Sequence, residues 1–396
     1  MTSHPLQPVG LKSQAVNFQA LPPLSLYIHI PWCVRKCPYC DFNSHEERGP
    51  LPEEEYVAAL LRDLELALPL IWGRSVHTVF FGGGTPSLLC GESIEQIIRS
   101  VRMLLPLAMD AEITLEANPG TVEAARFAAY RGAGVNRLSM GVQSFNDAHL
   151  QALGRIHSAD EAKRAIEMAQ QHFDNVNLDL MYALPNQTLD EALQDMRTAL
   201  SLSPQHLSCY HLTLEPNTLF YRKPPLVPDD DASSDMQQRI EELVAEHGYQ
   251  HYETSAFAQP KRRARHNLNY WQFGDYLGIG AGAHSKLSFP DKIIRQARYR
   301  QPQAYMRQVA QGAPLQTEHA VSCDELGFEF MMNALRLIEG FDSMLFQERT
   351  SLPLIGLRRE LERAELRGLL VRDHQRIAPT RLGQRFLNDL LEIFLV

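Results

Sequence analysis

The segment LYIHIPWCVRKCPYC, residues 26–40, joins a short apolar run to three closely spaced cysteines. Cys33, Cys37 and Cys40 follow the spacing C-x3-C-x2-C. Thiolates hold iron–sulfur clusters, and three thiolates leave one iron of a four-iron cluster without a protein ligand. Because an open iron can bind a small molecule, the spacing predicts a chemically active [4Fe–4S] cluster. Zinc is the main alternative, and it would draw a further ligand from elsewhere in the chain.

Bulk composition limits the class of protein. The chain has 396 residues, 44% of them hydrophobic, and a net charge of −9. This length favours two domains or one large domain with an appendage. The negative charge argues against nucleic-acid binding and allows at most peripheral membrane contact. We find no spanning helix and no secretory signal, and the cysteine spacing favours a reducing compartment, so we expect a cytoplasmic protein.

Strand patterns alternate with amphipathic helical patterns over the first half of the chain. We predict strands at residues 26–30, 78–81, 112–116, 137–141, 175–181 and 207–214. We predict helices at residues 53–68, 93–105, 122–131, 158–172 and 189–202, and Thr188 with Glu191 predicts a capping box at the start of the last one. Six repeats of strand and helix predict parallel strands with right-handed crossovers. The predicted fold class is therefore α/β, an incomplete (β/α)6-type barrel that is open on one side.

The pattern changes after about residue 320, where helical stretches, the final one predicted at 382–395, surround a predicted hairpin at 368–379. This arrangement predicts a smaller, α-rich domain that is winged-helix-like. Such units often bind DNA, but this one adds little positive charge, so we interpret it as a lid or docking surface against the barrel. The predicted divisions are a flexible N-terminal extension (1–24), the core barrel (25–255), a connecting segment (256–319) and the C-terminal small domain (320–396).

Further motifs follow the cysteines in a fixed order. They are GGGTP at 82–86, EANP at 116–119, GVQSF at 141–145 and DLMYALP at 179–185. The motifs fall near the carboxyl ends of predicted strands, where (β/α) barrels build their active sites. With Tyr39 before the last cysteine, the spacing resembles that of the radical S-adenosylmethionine (SAM) proteins, whose open iron chelates SAM. The ordered set resembles the oxygen-independent coproporphyrinogen III oxidases and their relatives, from about residue 26 to the C-terminus.

This resemblance implies a [4Fe–4S] cluster on Cys33, Cys37 and Cys40 with a SAM site beside it. Glycines after a strand permit a close approach of the backbone to a ligand, and Glu116 could accept hydrogen bonds from a ribose or an ammonium group. The expected SAM contacts are Tyr27, Tyr39, Gly84, Thr85, Pro86, Glu116, Gln143, Arg155 and Asp179. The last three match positions that contact a second SAM in the oxidase relatives, and their alternative role is ordinary polar packing.

A separate motif, HNLNYW at 266–271, fits H-N-x-x-Y-W and resembles the heme-binding motif of the HemW heme chaperones. Imidazole is a common axial ligand of heme iron, and aromatic rings can pack on the macrocycle. We therefore expect His266, Tyr270 and Trp271 to contact heme. The oxidase relatives carry a further cysteine two positions after the third cluster ligand, whereas this chain has Phe42 there. Their long N-terminal arm is also unrecognisable in residues 1–24.

Together these features predict a heme chaperone that binds a [4Fe–4S] cluster, SAM and heme. It would deliver heme to acceptor hemoproteins such as respiratory enzymes. The alternative is an oxygen-independent coproporphyrinogen III oxidase of porphyrin biosynthesis that uses a 5′-deoxyadenosyl radical. The residues leave open whether any radical reaction is catalysed, so no catalytic residue is assigned. They also leave open the number of SAM molecules and whether the protein is a monomer or a dimer.

Overall fold

The computed structural model describes residues 16–46, 49–120 and 125–395. Its strands are β1 (Leu24–Ile30), β2 (Trp32–Cys33), β3 (His45–Glu46), β4 (Val76–Gly83), β5 (Leu107–Ala117), β6 (Arg137–Gln143), β7 (Val176–Tyr182), β8 (His206–His211), β9 (Gln250–Glu253), β10 (Ala256–Ala258), β11 (Asp275–Ile279), β12 (His284–Phe289), β13 (Lys292–Arg298), β14 (Leu315–Ala320), β15 (Phe341–Asp342), β16 (Leu370–Arg372) and β17 (Arg376–Pro379).

The main sheet has twelve strands in the order β14-β13-β12-β11-β1-β4-β5-β6-β7-β8-β10-β9. The seven strands from β11 to β8 run parallel to their neighbours. Antiparallel strands flank this parallel part on both sides. Within the described residues the two ends of the sheet do not pair with each other. The predicted open α/β barrel is therefore confirmed.

All six predicted strands are present in the sheet, and a seventh parallel strand joins them. β11 pairs with β1 in parallel register, with Leu24 opposite Asp275 and Ile28 opposite Ile279. The sequence pattern did not predict this strand, because its partner lies about 250 positions away. The last predicted strand was too long, since β8 ends at His211 and the chain then turns into the loop above the sheet.

The helices of the described residues carry most of the connections between strands. The α-helices are Glu53–Ala67, Gly91–Leu104, Phe127–Ala133, Asp147–Ala152, Ala159–His172, Leu189–Ser201, Leu219–Arg222, Asp230–Glu246, Arg265–Trp271, Pro302–Ala310, Cys323–Ala334, Ser343–Thr350, Arg358–Leu366, Arg381–Arg385 and Leu387–Glu392. Short 3₁₀ turns occupy Leu68–Leu70, Pro86–Leu88 and Leu354–Leu357. The start of the helix predicted at 122–131 lies partly outside the described residues.

Two local features explain why these helices begin and pack where they do. Thr188 and Glu191 form a capping box, in which each side chain bonds the other residue's backbone N–H, and this satisfies two donors at the helix start. The helix Glu53–Ala67 fully buries Tyr56 and Leu60 in the main core. Burying one such side chain stabilises the fold by about 1.5–3 kcal/mol. Apolar spacing therefore decides which face of the helix meets the sheet.

The C-terminal part has its own sheet and its own core. β17 lies between β15 and β16, and β16 and β17 form the predicted hairpin. Phe330 packs edge-to-face on Phe341 and on Phe346, with ring centroids 5.0 and 5.1 Å apart. The helix Ser343–Thr350 was not predicted, and the final predicted helix is two shorter ones. None of the helices described is long and apolar enough to cross a membrane.

Candidate functional site

A cleft of about 320 Å³ opens at the carboxyl ends of the parallel strands. The loops after β1, β4, β5 and β6 and the ends of β7 and β8 surround it. Its lining contains most of the predicted cluster and SAM residues: Cys33, Cys37, Tyr39, Cys40, Gly84, Thr85, Pro86, Glu116, Gln143, Arg155 and Asp179. The fold thus brings together motifs that span nearly 150 positions of the chain. The expected contact that the lining does not include is Tyr27.

The three cysteine side chains are half-buried along one wall of this cleft. Burial raises the pKa of the Cys33 and Cys40 thiols. Cys40 Sγ lies 3.7 Å from Ser44 Oγ. In the described residues no three such side chains converge on a single metal-ion position. A four-iron cluster takes each thiolate at a different iron, so it needs ligands that are spread around the cluster rather than aimed at one point.

Gly84 lies directly against the cysteine loop. Its N–H donates to the Ile30 carbonyl at 2.7 Å, and the N–H of Thr85 donates to the Trp32 carbonyl at 2.7 Å. A Cβ atom on Gly84 would lie 2.5 Å from the Trp32 carbonyl oxygen and 3.1 Å from Cys33 Sγ. Any side chain would therefore push the two loops apart. Glycine is required here because two main chains approach each other closely.

Two carboxyl groups, Glu116 and Asp179, face the same part of the cleft. Glu116 Oε2 accepts the N–H of Gly83 at 3.2 Å. Burial and, secondly, the charge of Asp179 raise the pKa of Glu116 to about 8. Burial also raises the pKa of Asp179, which accepts hydrogen bonds from Ser139 and Asn177 at 3.0 and 2.9 Å. The pair offers acceptors for ligand hydroxyl or ammonium groups, and a cationic ligand would favour its ionised form.

The bend at the end of β6 sets the positions of Gln143 and Arg155. The pairing of β6 with β7 shifts register between Gly141 and Gln143, and Gln143 has a left-handed φ of 71°. Such irregularities often re-aim side chains at functional sites. Arg155 donates to the carbonyl of Gly141 and to Asn118 Oδ1, both at 2.7 Å. Its other nitrogen lies 3.6 Å from Cys37 Sγ, which places a fixed positive charge beside the expected cluster thiolate.

Sequence reasoning missed Ser139, although it lines the cleft. Ser139, Gly141 and Gln143 alternate along one strand and therefore share one face. That spacing of two was the signal that would have identified Ser139.

Tyr39 and Phe42 also line the cleft. The ring of Tyr39 packs against Phe220, with centroids 6.4 Å apart. The backbone N–H of Phe220 donates to the Pro38 carbonyl at 3.0 Å, which ties the cysteine loop to the loop above β8. Phe42 lines the cleft with 62% of its surface exposed. An exposed aromatic ring therefore stands at the position where the resemblance to the oxidases implies a cysteine.

Tyr27 lies below the cleft, inside the sheet. Its ring stacks on Phe80 at a centroid distance of 6.2 Å, and a Cβ on Gly82 would meet the same two rings. The Tyr27 hydroxyl lies 3.0 Å from His29 Nδ1. Tyr27 thus supports the glycine motif from beneath, while its expected contact with SAM stays a prediction.

Asn43, which the sequence analysis did not single out, fastens the cysteine loop to the segment after β11. The side-chain amide of Asn43 donates to the carbonyls of Ala281 and Arg300 at 2.9 and 2.8 Å. The backbone carbonyl of Asn43 lies 2.9 Å from His29 Nε2. Gly282, with φ +82°, leaves the room that Asn43 needs, because a Cβ there would lie 2.2 Å from Asn43 Nδ2. The glycine-rich segment after β11 therefore approaches the cysteine loop closely.

The predicted heme residues lie at the opposite end of the sheet. His266 is buried, and its Nδ1 is 2.7 Å from Thr78 Oγ1, near the amino end of β4. Tyr270 and Trp271 line a second cavity, which shares no residue with the first. The structure therefore separates the motif from the cleft. A heme contact by these three residues stays a prediction, and it concerns a different site from that of SAM.

The residues of the cleft fit a [4Fe–4S] cluster with SAM. Three thiols lie on one loop, the glycine backbone passes beside the first of them, and acceptors for an amine or a ribose stand across the cleft at Glu116 and Asp179. When bound, the cluster would supply an open iron for the amino and carboxylate groups of SAM. Arg155 would remain beside the thiolate of Cys37.

Comparisons with known proteins agree with this reading. The Radical SAM superfamily model matches residues 27–199, and the HemN C-terminal domain model matches residues 321–386. The chain is 52% identical to heme chaperone HemW of Escherichia coli (strain K12), over 95% of this chain and 99% of the relative. It is 49% identical to heme chaperone HemW of Haemophilus influenzae, with coverage of 95% and 98%.

A solved structure, the radical SAM enzyme coproporphyrinogen III oxidase (HemN) from Escherichia coli, has a TM-score of 0.80 with this chain. That match has 25% identity and covers 94% of this chain and 90% of the other. The oxidase therefore shares the architecture, whereas sequence identity over nearly the full length is much higher to the chaperones. The chain belongs to the HemW family of radical SAM proteins.

Proposed function

We propose that this protein is a heme chaperone that binds heme, a [4Fe–4S] cluster and SAM and delivers heme to acceptor hemoproteins, including respiratory enzymes. The observation that carries this proposal is the 52% identity to a protein named as a heme chaperone, over 95% of the chain. We infer that it acts in the cytoplasm, because its cysteines have cluster spacing, which favours a reducing compartment. It works as a monomer or a dimer with at most peripheral membrane contact.

The cleft is the proposed site of the cluster and of SAM. Cys33, Cys37 and Cys40 hold the cluster, which presents one open iron. The main chain at Gly84 and Thr85 lies beside the cysteine loop, where it would meet the amino-acid end of SAM. The remaining proposed contacts stand around the rest of the lining: Tyr27 from beneath, and Tyr39, Pro86, Glu116, Gln143, Arg155 and Asp179 in the cleft itself.

Heme is proposed to bind at the other end of the sheet, through His266, Tyr270 and Trp271. Two aromatic rings beside an imidazole suit a flat macrocycle with a central iron. The C-terminal small domain, residues 320–396, borders this region, since Met332 and Asn333 line the same cavity as Trp271. In this arrangement residues 25–255 supply the SAM-binding residues of the barrel, whereas residues 256–319 carry the heme motif and add β10 to β14 to the same sheet.

Coproporphyrinogen oxidation is the less favoured function. Phe42 occupies the position of the additional oxidase cysteine, and a phenyl ring cannot replace a thiol in proton or hydrogen-atom transfer. The identity to the solved oxidase is only 25%. We therefore expect no propionate decarboxylation, although the fold is shared.

Two parallel assays test the proposal on the protein with its reconstituted cluster. The first mixes the heme-loaded protein with an apo-hemoprotein and follows the absorption of the acceptor. The second supplies SAM, a reductant and coproporphyrinogen III and measures protoporphyrinogen. We expect heme transfer and no decarboxylation. Robust turnover without heme transfer would replace the chaperone by the oxidase.

A further inference from the structure

The helix Arg265–Trp271, here called the floor helix, closes the amino end of the parallel sheet. The backbone N–H groups of Arg265 and His266 donate to the carboxylate of Glu112 at 3.2 and 3.1 Å. The side-chain amide of Asn269 donates to Ser25 Oγ at 2.9 Å. A carboxylate at a helix N-terminus satisfies otherwise unpaired donors. The floor helix is therefore held by strands β1 and β5 from within the barrel.

Both ring nitrogens of His266 are engaged. The Thr78 hydroxyl donates to Ser25 Oγ at 2.8 Å, so Thr78 is left as the acceptor of the His266 Nδ1–H at 2.7 Å. In that tautomer Nε2 carries the free lone pair, and the Tyr270 hydroxyl, at 3.1 Å, donates to it. Burial lowers the pKa of His266 to about 3. The imidazole is thus neutral, and the nitrogen that a metal would need is covered by Tyr270.

Beside the floor helix lies a cavity of about 220 Å³, here called the floor cavity. Its walls come from the floor helix, from β11 to β13 and from the helix Cys323–Ala334. Four of its residues are aromatic, and Met332 adds a thioether at 40% exposure. The residues that line it are Tyr270, Trp271, Phe273, Gly274, Tyr276, Lys286, Arg295, Met332 and Asn333. Such a lining favours a flat, largely apolar ligand.

The two charged side chains that line the floor cavity are already paired with carboxylates. Lys286 donates to Asp275 at 2.9 Å and to the Phe273 carbonyl at 3.0 Å. Arg295 is paired with Glu329 at 2.6 Å. The indole Nε1 of Trp271 is buried and has no hydrogen-bond partner among the described residues. A buried donor without a partner is costly, so a ligand that accepts from this nitrogen would be favoured.

The C-terminal domain also contacts the floor helix and the residue that follows it. The Arg336 guanidinium lies 4.4 Å from the ring centroid of Trp271. Arg349 donates to the carbonyl of Gln272 at 3.2 Å. The floor helix is therefore held by the C-terminal domain as well as by β1 and β5, and a small separation of the two parts would widen the cavity.

We propose that the floor cavity receives one edge of the heme macrocycle, and that the Tyr270 hydroxyl must release His266 Nε2 before the iron can bind there. The inference rests on the proposed function and adds two things to it. The heme-binding surface includes Tyr276 and Met332, and the protein has a closed state in which the Tyr270 hydroxyl covers His266 Nε2. Binding then requires the floor helix to shift away from β4.

The test titrates the full-length protein with ferric hemin and follows the Soret band, which reports affinity and the iron ligand. Trp271→Leu and Met332→Glu alter the wall and the mouth of the floor cavity, and both should weaken binding at least tenfold. Trp72→Leu and Met344→Glu are matched controls at exposed positions outside the cavity, and both should bind as the wild type does. Met332→Glu lies at a half-exposed position, so it keeps the test decisive if Trp271→Leu fails to fold.

Tyr270→Phe tests whether the Tyr270 hydroxyl acts as a gate, that is, whether it must release His266 Nε2 before the iron can bind. It removes only the hydroxyl that covers Nε2. The equilibrium constant for ligation of the hemin iron by His266 should therefore rise about fivefold, the factor that corresponds to one ordinary hydrogen bond. Slower or weaker ligation in Tyr270→Phe would overturn the gate, because it would show that the hydroxyl assists the bound state. Hydrogen exchange of the peptide 264–273 should increase when hemin binds to the wild type.

The possible outcomes distinguish a failure of the proposed function from a failure of the cavity assignment. A wild-type protein that does not retain hemin would contradict the proposed function, and the cavity assignment would fall with it. A wild-type protein that retains hemin, while Met332→Glu and Met344→Glu bind it equally and peptide 264–273 is unchanged, would refute the cavity assignment alone.

Discussion

Glu116→Gln gives a sharp test of the electrostatics of the cleft. The carboxyl of Glu116 has its pKa raised from 4.5 to about 8, by burial first and by Asp179 second. Between these two pKa values the folded protein binds a proton that the unfolded chain has lost. The free energy of unfolding of the wild type therefore falls as pH rises from about 4.5 to 8. A glutamine has the same shape and no proton to lose, so the variant lacks this decline.

The size of the effect follows from the pKa shift. Each pH unit within the window costs the wild type about 1.4 kcal/mol, so from pH 5.5 to 7.5 the variant should gain about 3 kcal/mol relative to it. For a chain of this length the unfolding entropy is about 0.8 kcal/mol per kelvin, so the difference in Tm should grow by about 3 °C. Thermal unfolding of the cluster-free protein at the two pH values measures this.

The control is Glu167→Gln, at an exposed position on the helix Ala159–His172, which should show no such growth with pH. Equal pH dependence of Tm in the wild type and in Glu116→Gln would refute the reasoning, because it would show that Glu116 is ionised in the folded protein at no cost. In the same variant the response of the reduced cluster to SAM should weaken, since the ionised acceptor is lost. The variant is thus expected to be more stable and less able to bind SAM.

Three further predictions concern the cysteine loop. Cys37→Ser should abolish the cluster, because a hydroxyl is a poor substitute for a soft thiolate, whereas Cys90→Ser should retain it; iron and sulfide counts with electron paramagnetic resonance decide this. In Gly84→Ala the cluster should lose its spectral response to SAM, because the new Cβ would lie 2.5 Å from a backbone oxygen. In the control Gly132→Ala the new Cβ would meet nothing within 4 Å, so the cluster should respond normally. Asn43→Ala removes two hydrogen bonds to backbone carbonyls and should cost about 2 kcal/mol together with faster loss of iron; unchanged iron retention would show that these bonds do not hold the loop.

Local patterns were sufficient for much of the architecture. The strands β1, β4, β5, β6 and β7 were predicted because each combines an apolar run with a flanking turn. The capping box at Thr188 was visible because its two residues are only three apart. The shared edge of the parallel strands then placed Cys33 and Glu116 near each other before any coordinates were known.

Other features depend on partners that no local pattern specifies. The helix Ser343–Thr350 was missed, since its apolar residues do not repeat clearly at the helical period. The final helix was predicted as one unit but breaks at Phe386, which lies between the two short helices and caps both. Propensity does not specify such breaks, because tertiary contacts override it.

The sequence by itself determined the chemistry of this protein: three thiols on one loop, a glycine turn beside them, and a family whose members bind SAM. Only the tertiary structure decided which distant residues share a site. Asn43 meets Ala281, and Thr78 meets His266, across 238 and 188 positions. The physical reason is that hydrophobic periodicity records whether a residue is buried, but it does not record its partner. The sequence predicted that His266, Tyr270 and Trp271 contact heme, whereas in the fold the His266 imidazole is buried and already hydrogen-bonded.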